Sequence, residues 1–173
     1  MHSSPSLDDL VREHLPAVLR FATRVSGNTH AAEELVQEAL LRAVRSWSSF
    51  RGEAGFRTWL WRIVINVFRD RLRARSLPGA GLEGEPELMM DPRSVEPIDA
   101  AMAGELEQRI AQEVSRLPPR QREVLVLTVY EGMSVRSVAE VVGIREANVH
   151  ATLSAARAQL RTKLARYFNS LET

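Results

Sequence analysis

"SVRSVAEVVGIREANVHATLSAARAQL" occupies residues 134–160. Its first nine residues are short and amphipathic, "GI" breaks the pattern at Gly143, and apolar residues resume at helical spacing from about residue 146 to residue 168. Ala139 is small where two helices must approach closely, and Gly143 suits a left-handed turn. Val138, Val142, Ile144, Val149 and Leu153 supply apolar contact between the helices. Short helix, glycine turn, longer helix is the helix-turn-helix arrangement. Taken alone, the pattern favours a reader of duplex DNA over a helical hairpin buried in a larger α domain, but only modestly.

Outward from this stretch the apolar residues keep helical spacing, and no segment alternates convincingly at period two. Residues 98–116 read as one helix, and "LPPRQREVLVLTVY" places Pro119 near the first turn of the next. Upstream, "SLPGAGLEGEPELMMDPRSVEP" at 76–97 carries four prolines and three glycines, which stop any helix. That segment reads as a flexible tether. Before it, a helix over 7–25 is expected to break or kink near Pro16 and to stop at Gly27. Thr29 is expected to cap a second helix running to about residue 47, with Glu33 and Glu34 near its positive end. A third helix follows over 56–74. The predicted fold is therefore all-α, with a first lobe at 1–75, an acidic linker at 76–97 and a second lobe at 98–173.

Bulk composition narrows the function classes. The 173 residues, 45% hydrophobic, suffice for two small cores. No window approaches a membrane span, and "MHSSPSLDDL" has neither the basic flank nor the apolar core of an export signal, so a cytoplasmic protein is expected. There are no cysteines, and His2, His14, His30 and His150 lie too far apart for a local metal pair. Neither metal nor cofactor is expected. The net charge of +1 hides a division: residues 1–75 hold twelve arginines against eight acids, and 76–97 hold one arginine against five.

"FRGEAGFRTWLWRIVINVFRDRLRAR", residues 50–75, is the most unusual stretch. Six of the ten aromatic residues (Trp47, Phe50, Phe56, Trp59, Trp61, Phe68) fall within 22 positions. Trp59, Arg62, Asn66, Arg69 and Arg73 share one helical face, while Leu60, Ile63, Val64 and Val67 fall mainly on the other side. Arginines hold phosphates, aromatic rings stack on unpaired bases and an amide can read a base edge. The same face also fits a solvated basic surface with Trp59 partly tucked into the core.

These residues carry a resemblance. "AAEELVQEALLRAVRSWSSFRGEAGFRTWLWRIVINVFRDRLRAR" resembles region 2, and "LPPRQREVLVLTVYEGMSVRSVAEVVGIREANVHATLSAARAQLRTKL" region 4, of the extracytoplasmic-function class of bacterial RNA polymerase sigma factors. The resemblance implies two helical domains that bind core RNA polymerase and bring it to promoter DNA, commonly under an anti-sigma factor. It places polymerase docking on "ELVQEALLRA", with Leu35, Gln37, Glu38, Leu41 and Arg42 as candidates. It makes Phe50, Arg51, Gly52, Glu53 and Phe56 a loop that captures a flipped minus-10 base, counts Trp59 among the minus-10 contacts, and lays Arg62, Asn66, Arg69 and Arg73 along the melted strand and the upstream duplex. Minus-35 recognition falls to Arg136, Arg145, Glu146, Asn148, His150, Thr152, Ser154 and Arg157. Here the chain departs from the family pattern: its recognition helix is poor in cations, so phosphate affinity there is expected to be weak.

Two other classes use the same features differently. A stand-alone regulator would employ only the C-terminal helix-turn-helix, but a duplex reader has no use for a base-stacking loop. A sigma-like adaptor would turn the weakly basic recognition helix to another protein. An enzyme is not expected, since the sequence offers no nucleophile–base pair, phosphate loop or metal cluster and so no small-molecule substrate.

Overall fold

The computed structural model describes residues 6–27, 29–52, 55–75 and 98–171. The tether expected at 76–97 lies outside the described residues, as does the site candidate Glu53.

The first lobe holds three helices. In α1 (Leu7–Ser26), Ser6 and Asp9 form a reciprocal capping box, each backbone N–H donating to the other's side chain at 3.2 Å. The helix runs through Pro16 without the interruption that was one of the two outcomes expected there. Pro16 is exposed, so the carbonyl it leaves without a backbone partner is not sealed from water. Gly27 ends α1 in the left-handed region at φ 66°, its N–H donating to the Thr23 carbonyl. A Cβ at Gly27 would stand 3.2 Å from Ser115 Cβ, so glycine also permits the close approach of a helix from the second lobe. Helix α2 (Thr29–Ser46) already includes Thr29, one place further in than its expected capping position. A 3₁₀ turn at Trp47–Ser49 leads toward α3 (Phe56–Arg75). Val18, Phe21 and Val25 of α1, Ala32, Leu35, Val36, Ala39 and Ala43 of α2, and Leu60, Trp61, Val64, Val67 and Phe68 of α3 interlock as the core.

The second lobe begins with α4 (Ile98–Ser115) and α5 (Pro119–Leu125). From Val126 to Tyr130 the chain widens into a π-helical turn, closed by Glu131 N–H donating to the Val126 carbonyl at 3.1 Å. Val129 and Tyr130 are left exposed there, while Glu131 is buried. Helix α6 (Val135–Val142) is capped by the Ser134 hydroxyl, and Gly143 at φ 75° makes the turn into α7 (Glu146–Leu171). Val138, Val142, Val149 and Leu153 are buried as the helix-turn-helix reading requires, Ile144 partly so, and Ala139 sits at the close approach.

The lobes, read from sequence as tethered bodies, pack directly on one another. Helix α3 lies on α6, and α1 lies on α4 and the π turn. The buried residues of both lobes form a single cluster.

Candidate nucleic-acid interface

The aromatic cluster divides into two groups. Trp61 and Phe68 are core residues, Trp61 at 1% exposure meeting Phe21 edge to face with centroids 5.0 Å apart. Trp47, Phe50, Phe56 and Trp59 pack on one another at centroid distances of 5.1–6.2 Å, and His14 stacks on Phe56 at 5.4 Å. Trp47, Phe50 and Trp59 are half-buried against one another. Phe56 is buried, and the four rings make a platform that carries the exposed loop residues Arg51, Gly52 and Gly55. Gly52 takes φ 74°, a conformation that an L side chain rarely adopts.

Along α3 the polar face appears as expected, but it is not empty. Arg62, Asn66 and Arg73 are exposed and Trp59 and Arg69 half-buried. Arg69 donates two bonds to the Glu123 carboxylate, at 2.9 and 2.7 Å, and a third to the Val142 carbonyl at 3.0 Å. Arg62 Nε donates to the Glu140 carbonyl at 3.1 Å, and Arg120 Nη1 to the Val142 carbonyl at 2.8 Å. These carbonyls belong to the last turn of α6, where a helix has no internal donors left and its dipole is negative, so guanidinium groups satisfy both needs. Arg73 pairs with Asp70 on its own helix at 2.6 Å. Arg62 and Arg69, assigned to promoter DNA, thus bind the second lobe in this structure.

On α2, Leu35 is corrected from docking residue to core residue: at 1% exposure it cannot meet a partner. The opposite face carries Gln37, Leu41 and Val44, with Leu41 57% and Val44 62% exposed. Val44 was not foreseen, although its spacing from Leu41 was a readable signal. Glu38 and Arg42 flank this strip in a network with α3, where Arg42 pairs with Asp70 at 2.7 Å and Arg71 with Glu34 at 2.8 Å. The Arg42 guanidinium holds the Asp70 carboxyl below the usual carboxylate range.

The recognition helix keeps its candidates accessible. Arg145, Glu146, Asn148, His150, Ser154 and Arg157 are exposed and Thr152 is half-buried. Arg136 is spent partly on Glu140, 3.5 Å away.

Three buried acids escaped the sequence reading, and two of them, Glu123 and Glu131, face the lobe junction. Arg20 and Arg24 approach the Glu131 carboxylate at 3.6 and 4.0 Å, and Arg57 donates to its backbone carbonyl at 2.6 Å. Burial pushes the Glu131 carboxyl above its ordinary range, and the three arginines offset this only in part. A carboxyl whose folded value is raised contributes most below its unfolded value, and that contribution is lost as the pH rises through the folded value. Glu131→Gln should therefore match the parent near pH 4 and melt progressively higher than it as the pH rises above about 4.3, the ordinary glutamate value. Melting curves across pH 4–8 that stay parallel would refute this. Arg122, meanwhile, reaches from the second lobe to the Val25 carbonyl at the end of α1.

Among the described residues no group of acids and histidines is arranged to hold a metal, and no helix is long and apolar enough to cross a membrane. The chain matches the family model for sigma-70 region 2 over residues 10–77 and that for sigma-70 region 4 over residues 107–160. It is 34% identical over 169 residues to the ECF RNA polymerase sigma factor SigE of Mycolicibacterium smegmatis, covering 94% of this chain and 63% of that one's length. It is 32% identical over 165 residues to SigW of Bacillus subtilis, covering 90% and 87% of the two chains. It is 34% identical over 168 residues to SigM of Mycobacterium tuberculosis, covering 95% and 80%. Among solved structures it resembles the sigma factor RpoE in complex with the anti-sigma factor NepR from Bartonella quintana, with 26% identity, a TM-score of 0.74 and 92% and 98% of the chains covered. It also resembles CnrH in complex with the cytosolic domain of CnrY, with 27% identity, a TM-score of 0.65 and 92% and 87% covered. The chain belongs to the ECF family of RNA polymerase sigma factors.

Proposed function

We propose that this ECF sigma factor works in the cytoplasm, docking on core RNA polymerase through the Gln37, Leu41 and Val44 strip of α2 and opening promoters with the α3 face and the loop before it. The second lobe reads the minus-35 element through α7. The observation that carries this reading is the pairing of an exposed recognition helix with an arginine- and amide-bearing α3 face beside an aromatic platform. Duplex reading alone requires only the first of these. The chain contributes no catalytic step in this reading; RNA synthesis belongs to the polymerase. An anti-sigma factor controls it, a reading supported by the similarity to the sigma factor RpoE solved in complex with the anti-sigma factor NepR.

The deciding experiment adds the purified chain to core polymerase and assays transcription from a panel of promoters. Start-site-specific RNA that needs both components supports the reading. Its absence, with DNA binding by the isolated chain, favours a stand-alone regulator.

Asn66 gives a sharper test, because it is exposed on α3 with no core role. Asn66→Ala should leave polymerase binding and melting temperature unchanged while losing about 1–3 kcal/mol of discrimination at one minus-10 position, the usual worth of a good base-edge contact. The readout is transcription from promoters mutated singly through the minus-10 element. Equal losses at every promoter, with a lower melting temperature, would make Asn66 a packing residue.

A further inference from the structure

We propose that the free chain holds itself closed by the same arginines that serve promoter DNA, with Glu123 as the internal stand-in for phosphate. This rests on the assignment of the α3 face to nucleic acid. Arg69 meets the Glu123 carboxylate through two parallel N–H···O bonds, the geometry in which a guanidinium also grips a phosphate. Its third bond, and that of Arg62, go to the carbonyl end of α6, the first helix of the helix-turn-helix unit. Two of the three arginines on the DNA-reading face are therefore occupied by the lobe that reads the other promoter element. Promoter phosphate and the second lobe compete for one set of donors.

The latch can open without stranding a charge. Glu123 is 1% exposed in the closed form, where a carboxylate without a partner would be very unfavourable. Arg120, from the same lobe as Glu123, stands 3.7 Å from its carboxylate and would remain beside it after the lobes part. Arg69 would exchange one oxyanion for another. Opening thus trades like interactions, and polyanion concentration sets the balance. Arg57 on the Glu131 carbonyl and Arg122 on the Val25 carbonyl close the same seam at other points, so the junction is a row of separable polar contacts.

The full chain has no cysteines, so two spin labels can be placed at exposed positions, one in each lobe, by Arg45→Cys and Ala158→Cys. The unbound parent should give one short, narrow inter-label distance distribution. A fluorescent single-stranded oligonucleotide of arbitrary sequence, added at low salt, should shift it to longer and broader distances, and high salt should reverse the shift. Glu123→Gln keeps the shape of the side chain, lies off the DNA face, and should open the lobes without oligonucleotide. Since apparent affinity scales with the binding-competent fraction, it should also bind the oligonucleotide about fivefold or more tighter than the parent. Circular dichroism checks that the variant folds; if it does not, the parent titration decides alone. Distances in the parent that saturating oligonucleotide leaves unchanged would overturn the latch, as would a folded Glu123→Gln with unaltered distance and affinity. An oligonucleotide that binds neither protein while the variant's lobes stand apart would instead overturn the assignment of the α3 face to nucleic acid.

Discussion

Trp61→Ala is expected to lower the stability of the chain by about 3–5 kcal/mol, the usual cost of truncating a fully buried tryptophan. Trp61 is 1% exposed, stands edge to face with Phe21, and shares the lobe centre with Leu60, Ile65 and Val64, which have no room to collapse into the space left behind. Since small proteins retain only about 5–15 kcal/mol in total, the loss should leave the first lobe marginal at physiological temperature. Urea unfolding followed by circular dichroism measures it. Trp59→Ala, on the half-buried ring platform, should cost less. If Trp59→Ala proved the more damaging of the two, the division of the aromatic residues into core and platform would be wrong.

The second large effect is expected in binding, with stability unchanged. Leu41 and Val44 are among the most exposed large apolar residues of the structure, and they lie one helical turn apart on the face of α2 opposite its core residues. Leu41→Glu combined with Val44→Glu should hold the melting temperature nearly constant, because substitutions on an exposed face typically change stability by no more than about 0.5 kcal/mol. Affinity for core polymerase should fall by at least about thirtyfold, the loss expected when one interface anchor worth about 2 kcal/mol is removed. Competition with a labelled sigma factor for core polymerase would measure it. Unchanged affinity would move docking to another surface. Leu35→Ala makes the contrast: its effect should appear in stability, since its side chain belongs to the core.

Much of this was legible because it is local. Apolar spacing located the helices to within a residue or two at most ends, Gly143 marked the turn of the helix-turn-helix, and the run from Trp59 to Arg73 sorted itself into a polar and an apolar face. Each of these depends on residues no more than a turn or two apart, where backbone geometry alone sets which side chains are neighbours. Pro16 reads in sequence as an interruption or a kink, and the helix is not interrupted: at this exposed position the proline does not end it. In the aromatic cluster, proximity in sequence did not tell Trp61, buried against Phe21 of another helix, from Phe50, half-buried against the rings of Trp47 and Trp59.

The sequence by itself determined the helices, the helix-turn-helix unit, the polar face of α3 and, through its motifs, the family. Only the tertiary structure decided which members of those faces are free. Glu123 and Arg69 stand 54 positions apart, and Arg62 stands 78 from the carbonyl it reaches. An arginine on an amphipathic helix looks the same in sequence whether it faces water, a phosphate or a carboxylate brought from another lobe. The difference lies in long-range packing, where burial of apolar surface brings the lobes together and every charge caught between them must find a partner.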